Sequence, residues 1–454
     1  MTSPSTKSLG RACPVCCAST GVVLHTQEYA APDELQTQKI VDIVACRRCG
    51  MVFADLELVQ AALDKVYEEH SKYADTTLFA AGDGRPGHGV TREGAASDDR
   101  PDDGDADDGH AVDESAPSMA PEAPWDLDRL EATAAYLAER VPDRHARILD
   151  AGCATGSLLG YLAGHGFTNL VGLDPSPVAI ATARRVHGAA GVRGVVGSFV
   201  TPPPDLGQFD LVMLTHVFEH LSDVQAAAES LAALVRPGGL AYLETPDASR
   251  YAELVVAPFH DFNTEHINHF SVGLLASVAQ AHGFEGVDTG SKTVMCSPRH
   301  PYPAAYGLFR RVETGARAKV AASAAADWVG DRDLSLEPAI RDYVEASRTL
   351  MDRIDTDLRA QLGDDRQVAL WGAGQLAMKL LCDTVLADCD VVAVVDGSPQ
   401  KHGLQMGDRV VEAPEVLVGR SLPVVIASIH HGDAIVTAMR SRVPDARPIR
   451  LSER

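Results

Sequence analysis

Aromatic side chains make up only 5% of this 454-residue chain, which argues against a broad aromatic platform for a ligand. Positive charge is short too: 40 Lys and Arg stand against 63 Asp and Glu, a net charge of −23. Phosphates would be repelled rather than gathered, so nucleic acid is not an expected partner. No apolar run approaches the roughly 18 residues needed to cross a bilayer, so no membrane partner is expected. The opening MTSPSTKSLGRAC lacks the apolar core of a signal peptide. A cytoplasmic location with reduced thiols is the expectation.

Bulky apolar residues are nearly missing from residues 80–125, which are rich in Gly, Ala, Asp and Pro. Within them DDRPDDGDADDGHAVDE (98–114) carries eight Asp, one Glu and one Arg, or −8 of the total. Such a stretch cannot bury enough surface to offset its ordering entropy, and a disordered acidic insert over 76–125 is expected.

What remains is too long for one core. Residues 1–75 hold paired cysteines. From 126 to 290 the runs RILDAG, LVGLD, FDLVMLTHV and GGLAYLET alternate with helical patterns such as LDRLEATAAYLAERV. That rhythm predicts an α/β domain with a largely parallel sheet. Residues 291–362 read as a linker and long helix, with Ile340, Tyr343, Ser347, Leu350, Ile354 and Leu358 at helical spacing. Residues 363–454 restart the α/β rhythm.

CPVC (13–16) and CRRCG (46–50) give two C-x2-C pairs separated by 29 residues. Thiolates two residues apart can both reach one tetrahedral ion, so Cys13, Cys16, Cys46 and Cys49 are expected to bind structural Zn2+. Cys17 adjoins Cys16 and leaves open which of the two is the ligand.

RILDAGCATGSLLGYLAGHGFTNLVGLDPS (147–176) is the most informative stretch. Strand RILD ends in Asp150, Gly152 and Gly156 allow a tight turn, and a second strand ends in Asp174, 18 residues after Gly156. A carboxylate there can accept hydrogen bonds from both ribose hydroxyls. An acid at the end of the first strand would repel a pyrophosphate but suits the ammonium of a methionine moiety, favouring S-adenosylmethionine (SAM) over a dinucleotide. The stretch resembles motif I of class I SAM-dependent methyltransferases, and Asp174 matches that family's ribose-binding acid. FDLVMLTHVFEHL (209–221) and VRPGGLAYLETPD (235–247) resemble its fourth and fifth strands with their loops.

The order of these parts, with Glu265-His266-x-x-x-Phe270-Ser271 after the central section, resembles the three-part zinc-binding family of deoxysugar C-methyltransferases. Members act on a nucleotide-linked 3-keto sugar. The resemblance implies a Rossmann-like methyltransferase sheet between a small N-terminal zinc-binding domain and a second, C-terminal Rossmann-like domain. It also implies that His266 is the base, beside Glu265. His216 and His220 would line the substrate pocket after strand four, with His216 next to SAM. Tyr67 or Tyr73 would supply the phenol that the front domain lends. Two family tyrosines are absent: Asn263–Thr264 replaces Tyr-His, and His269 replaces the second tyrosine.

The chemistry stands without the resemblance. Methylating carbon requires removing a proton next to a carbonyl, and an imidazole is suited to that at neutral pH. The transfer itself requires positioning and no metal. An O- or N-methyltransferase on the same scaffold is an alternative, as is a non-catalytic partner that binds SAM or a nucleotide sugar. In the back section, VALWGAGQLAMKLL (368–381) and Asp396, Lys401 and Gly403 resemble the family's back domain. That implies help in holding the nucleotide end of the substrate. A second dinucleotide site or a structural relic are the other readings.

Overall fold

Three sheets hold the strands in the computed structural model, which describes residues 6–30, 39–56, 60, 63–65, 68, 124–297, 299–312, 332–429 and 431–452. Most of the expected acidic insert, residues 76–123, lies outside the described residues, as do Tyr67 and Tyr73.

In the front section β1 (Thr6–Ser8), β2 (Thr20–Glu28), β3 (Ile40–Cys46) and β4 (Val52–Asp55) pair antiparallel. Runs such as IVDIVAC are β-branched and suit a half-buried pleat. The turn into β4 needs glycine: Gly50 has φ +84°, and a Cβ there would lie 2.1 Å from the carbonyl oxygen of Asp333.

The central section opens with α1 (Pro124–Arg140), β5 (Arg147–Ala151), α2 (Ser157–Gly164), β6 (Asn169–Asp174) and α3 (Pro177–His187). It continues through β7 (Val192–Val196), β8 (Phe209–Thr215), α4 (Val224–Leu234) and β9 (Val235–Pro246). Next come β10 (Asn268–His269), α5 (Val272–Ala281), β11 (Phe284–Ser297) and β12 (His300–Arg311). Strand order in the large sheet is β11-β12-β9-β8-β5-β6-β7. Strands β5 to β9 are parallel, and β12 and β11 add antiparallel. The order reverses between β5 and β8, which opens a crevice at the carboxyl ends of those strands.

This sheet runs to Arg311, past residue 290, so the hairpin of β11 and β12 belongs to it rather than to a linker. Pro301 and Pro303 argue against a central strand, but they occupy the end of β12 that pairs with β11 alone.

The back section begins with α6 (Leu336–Leu362), β13 (Gln367–Trp371), α7 (Gln375–Asp383) and β14 (Asp390–Val395). Then follow β15 (Gln405–Met406), β16 (Arg409–Glu412), β17 (Pro423–Ile426), α8 (Gly432–Arg442) and β18 (Arg447–Ile449). The sheet order is β15-β16-β14-β13-β17-β18, parallel except for β15. The apolar stripe of α6 is buried along its length.

One apolar core is continuous from the front sheet, through one face of the large sheet and α6, into the back sheet. The three sections are therefore packed together rather than strung on linkers. Strand β10 shows how. It comes from the central section but pairs with β4 of the front sheet, Asn268 opposite Phe53 and His269 opposite Val52.

His269 is fully buried, edge-on to Tyr251 and Phe262 with ring centroids 6.0 and 5.1 Å away. Neither ring nitrogen has a hydrogen-bond partner among the described residues. Burial pushes its pKa down to about 3. Below about pH 6.5 the unfolded chain takes up a proton that the folded chain refuses, so this histidine costs stability as pH falls from about 6.5 toward 3. His25 and His260, pushed down to about 4 mainly by burial, act in the same direction. The substitution His269→Leu should flatten the acid limb of stability by up to about 1.4 kcal/mol per pH unit between pH 6 and 4. Denaturant unfolding at stepped pH measures this, and an unchanged slope would refute it.

Candidate active site

Asp150 lies one residue before the end of β5, 4% exposed, at the mouth of the crevice. Burial, and then the charge of Asp174, push its carboxyl up to about 7, while Arg129 acts in the opposite sense. Gly152 follows with φ +77°, its N–H on the carbonyl of Leu173 at 2.7 Å. A Cβ at Gly152 would come 2.6 Å from Val217 Cγ2, so the loop has no room for a side chain there. Gly156, with φ +81°, stands directly before α2.

Asp174 closes β6 and clamps this loop. Its Oδ2 accepts from the N–H of Ala154 and its Oδ1 from that of Ser176, both at 2.9 Å. An ionised carboxylate has about four acceptor positions, so two remain for a diol.

His216 follows β8 with φ +55°, held by its N–H on the carbonyl of Glu244 at 2.8 Å. Its Nδ1 is 3.2 Å from Glu219 Oε1 and its Nε2 is 3.4 Å from Glu244 Oε1. Burial works against the charge on this ring, but the two carboxylates raise its pKa. With a carboxylate oxygen facing each ring nitrogen, the surroundings of His216 favour its protonated form and disfavour a role as base. Burial likewise opposes ionisation of Glu244, yet His216 and Lys292 hold it well below the usual carboxylate range. Lys292 Nζ is 2.7 Å from Glu244 Oε2, and the Tyr242 hydroxyl donates to the same oxygen at 2.6 Å.

His220 and His266 meet edge to face, with ring centroids 4.9 Å apart. His220 Nδ1 is 3.1 Å from the carbonyl of Glu265 and its Nε2 is 3.9 Å from Glu219 Oε1. Asn263 Oδ1 accepts from the N–H groups of Glu265 and His266 at 2.9 and 2.8 Å, so the residue in the place of a family tyrosine shapes this turn. The Glu265 carbonyl orients a histidine of the site, His220. Thus His216, His220 and His266 come together as expected residues, while Tyr73 lies outside the described ones.

Glu219 is the member that sequence reasoning missed. It is 1% exposed and lies within reach of two histidines. The signal was its i+3 spacing from His216 within HVFEH.

The loop is held from the back section as well. Gln375, at the start of α7, donates to Thr264 Oγ1 at 2.6 Å, and the buried Lys379 ammonium donates to the carbonyl of Phe259. The back sheet repeats the clamp of the central one: Asp396 accepts from Ala373 N–H at 2.7 Å and Ser398 N–H at 2.9 Å. Here, however, Lys401 Nζ sits 3.1 Å from the same carboxylate.

The cysteines resolve cleanly. Cys13, Cys16, Cys46 and Cys49 are buried with their sulfurs within 4.8 Å of one another, and the 13–49 and 16–46 pairs are 3.5 Å apart. Cys17 is exposed and outside the group. Four thiolates about 2.3 Å from one tetrahedral ion would be about 3.8 Å apart, so this set fits zinc.

Residues 125–289 match the family described as a methyltransferase domain. The ubiquinone biosynthesis O-methyltransferase of Methylocella silvestris is 38% identical over 102 residues, 22% of this chain and 39% of that protein. The tRNA U34 carboxymethyltransferase of Saccharophagus degradans is 30% identical over 125 residues, 27% of this chain and 37% of that one. The chain thus spans about two fifths of the length of these curated relatives. Among solved structures, a SAM-dependent methyltransferase from Mesorhizobium loti is 20% identical, with TM-score 0.33, over 40% of this chain and 100% of that one. A magnesium protoporphyrin IX methyltransferase from Synechocystis PCC 6803 is 18% identical, with TM-score 0.33, over 41% of this chain and 83% of that one. The central section of the chain is a SAM-dependent methyltransferase domain of the Rossmann-like class.

Proposed function

We propose that the chain methylates a carbon next to a carbonyl in a small-molecule acceptor, a nucleotide-linked keto sugar or a related natural-product intermediate. The observation that carries this reading is the pairing of His266 with His220 on a loop fixed by all three sections. SAM supplies an electrophilic methyl on a sulfonium. Asp150 would hold its ammonium, Gly152 and Gly156 would admit it to the crevice, and Asp174 would receive its ribose. The cation of His216 props the cofactor side through Glu219 and Glu244. His266 takes the acceptor's α-proton, and His220 sets its approach edge-on. Bound SAM would supply its methyl to the carbanion so formed, the sulfonium becoming a neutral thioether.

The second reading is O- or N-methylation. It draws on Asn263 and His269 standing where the keto-sugar family has tyrosines, and on the relative named as an O-methyltransferase. Deuterium exchange separates the two. With S-adenosylhomocysteine bound, solvent deuterium should enter a 3-keto sugar nucleotide next to its carbonyl, and His266→Ala should reduce the rate about 100-fold or more. An absence of exchange in the wild type, with cofactor binding intact, would favour the O- or N-methyl reading.

Asp150 supplies a pH test. Its carboxyl, pushed up to about 7, must ionise to hold an ammonium, so SAM affinity should fall as pH drops below about 7. The limit is about tenfold per pH unit. Calorimetric titration from pH 8 to 5.5 should show this slope in the wild type and its absence in Asp150→Asn. Parallel slopes would remove Asp150 from the cofactor site.

We assign the four thiols to a structural zinc ion, since they are buried and leave no open coordination position. Stripping it with a strong chelator should lower the melting temperature and expose the front sheet to protease. Metal analysis finding no zinc, or melting unaltered by chelation, would exclude the ion.

A further inference from the structure

Glu219 sits in the short turn Phe218–His220 with one carboxylate oxygen accounted for and one not. Oε1 faces His216 at 3.2 Å, whereas Oε2 is buried and has no hydrogen-bond partner among the described residues. An orphaned oxygen of this kind on a buried carboxylate is costly unless a cation or donor meets it. The neighbouring ring of His220, 3.9 Å from Oε1, cannot be the donor to this carboxylate in its neutral form. A carbonyl oxygen only accepts, so the contact with Glu265 places the proton of His220 on Nδ1. That turns the Nε2 lone pair toward Glu219 Oε1 across 3.9 Å. Two electron-rich atoms facing each other at that spacing are too far apart for a hydrogen bond and suited to a cation between them.

His266 completes the set. Donor atoms of Glu219, His220 and His266 all lie within 4.8 Å of one another. Ligands at about 2.1 Å from an ion are at most about 4.2 Å apart, so any pair near the 4.8 Å bound must close slightly. Rotation of the half-buried His266 ring supplies such a movement. The Nδ1–H···O=C contact on His220 is also the arrangement that fixes the tautomer of a metal-bound imidazole.

We propose that Glu219, His220 and His266 form a second metal site, for a divalent transition ion, distinct from the four thiols. Two imidazoles and one carboxylate select zinc, iron(II), cobalt or nickel over magnesium or calcium. Three protein ligands leave a position open to an oxygen of the acceptor or to water. His216 is not part of the set, because both its nitrogens are engaged by carboxylates. The site itself does not depend on what is methylated. Its consequence rests on the reading of His266 as the base: a nitrogen that binds an ion cannot accept a proton, so occupancy and proton abstraction exclude each other. A transition ion is then an inhibitor that competes with the acceptor.

The test is a titration of the zinc-loaded, full-length protein with Co2+, followed by visible absorption. One further equivalent should bind and give weak d–d bands without thiolate charge transfer. Glu219→Gln and His266→Asn should each weaken that binding by about tenfold or more, with circular dichroism and zinc content unchanged. No binding beyond the four-thiol site, a thiolate spectrum, or equal affinity in both variants would overturn the site. In the same samples deuterium exchange into the keto sugar should fall in step with Co2+ occupancy and return on chelation. Exchange that stays constant or rises with occupancy would overturn the exclusion and take the base role from His266, leaving the binding result to stand separately.

Discussion

Everything about the candidate site depends on how the segment from Phe259 to Ser271 is held. Its backbone is not a regular element for most of its length, so its polar groups need outside partners. They come from every direction. Ile267 N–H reaches the carbonyl of Glu219, Asn268 donates to the carbonyls of Phe218 and Leu221, and Ala54 N–H takes the carbonyl of Ile267. Tyr29 of the front sheet donates to Phe262, and Tyr343 of the long helix accepts from Asp261. Arg11 ties the arrangement from the front section, donating to Ser222 O at 2.7 Å and to Asn268 Oδ1 at 3.2 Å while lying over Phe53. A loop so constrained can present two imidazoles at fixed separation, which a surface loop cannot.

The second constraint is charge buried beside the cofactor crevice. Glu244 is fully buried and would be costly alone. Tyr242, Lys292 and His216 offset that cost, and the result is a carboxylate that favours the protonated form of His216. Glu219 does the same from the other side. The positive ring is thereby locked into a left-handed backbone position, a strain that such sites sustain only when surrounding bonds determine it.

The parallel sheet, the cofactor loop and the paired cysteines were legible because each is local. Strand RILDA, the two glycines and Asp174 lie within 28 residues, and each thiol pair within four. The site proper was legible only in part. His216, His220 and His266 are brought together from residues 50 apart, and nothing in the local pattern shows that Glu219 is buried between the first two. Nor does the local pattern show that the carbonyl of Glu265 lies on His220. Strand β12 carries two prolines whose positions are harmless only once its neighbours are known. His269 reads as a structural histidine, and the fold makes it a strand residue among aromatic rings, with neither ring nitrogen hydrogen-bonded among the described residues.

Strand β10 is only two residues long, but it closes the open edge of the front sheet. The part of the chain matched by the methyltransferase family is therefore not a detachable module. Trimming to residues 125–289 would strip β10 of its partner, remove β12 from the edge of β9 and take away the bonds that Tyr29, Tyr343 and Gln375 make to the loop carrying His266. Sequence similarity marks where the cofactor is handled; the mechanical unit that could handle an acceptor is nearly the whole chain. Its recombinant fragments should be cut with that in mind, since an exposed strand edge is also an invitation to aggregate.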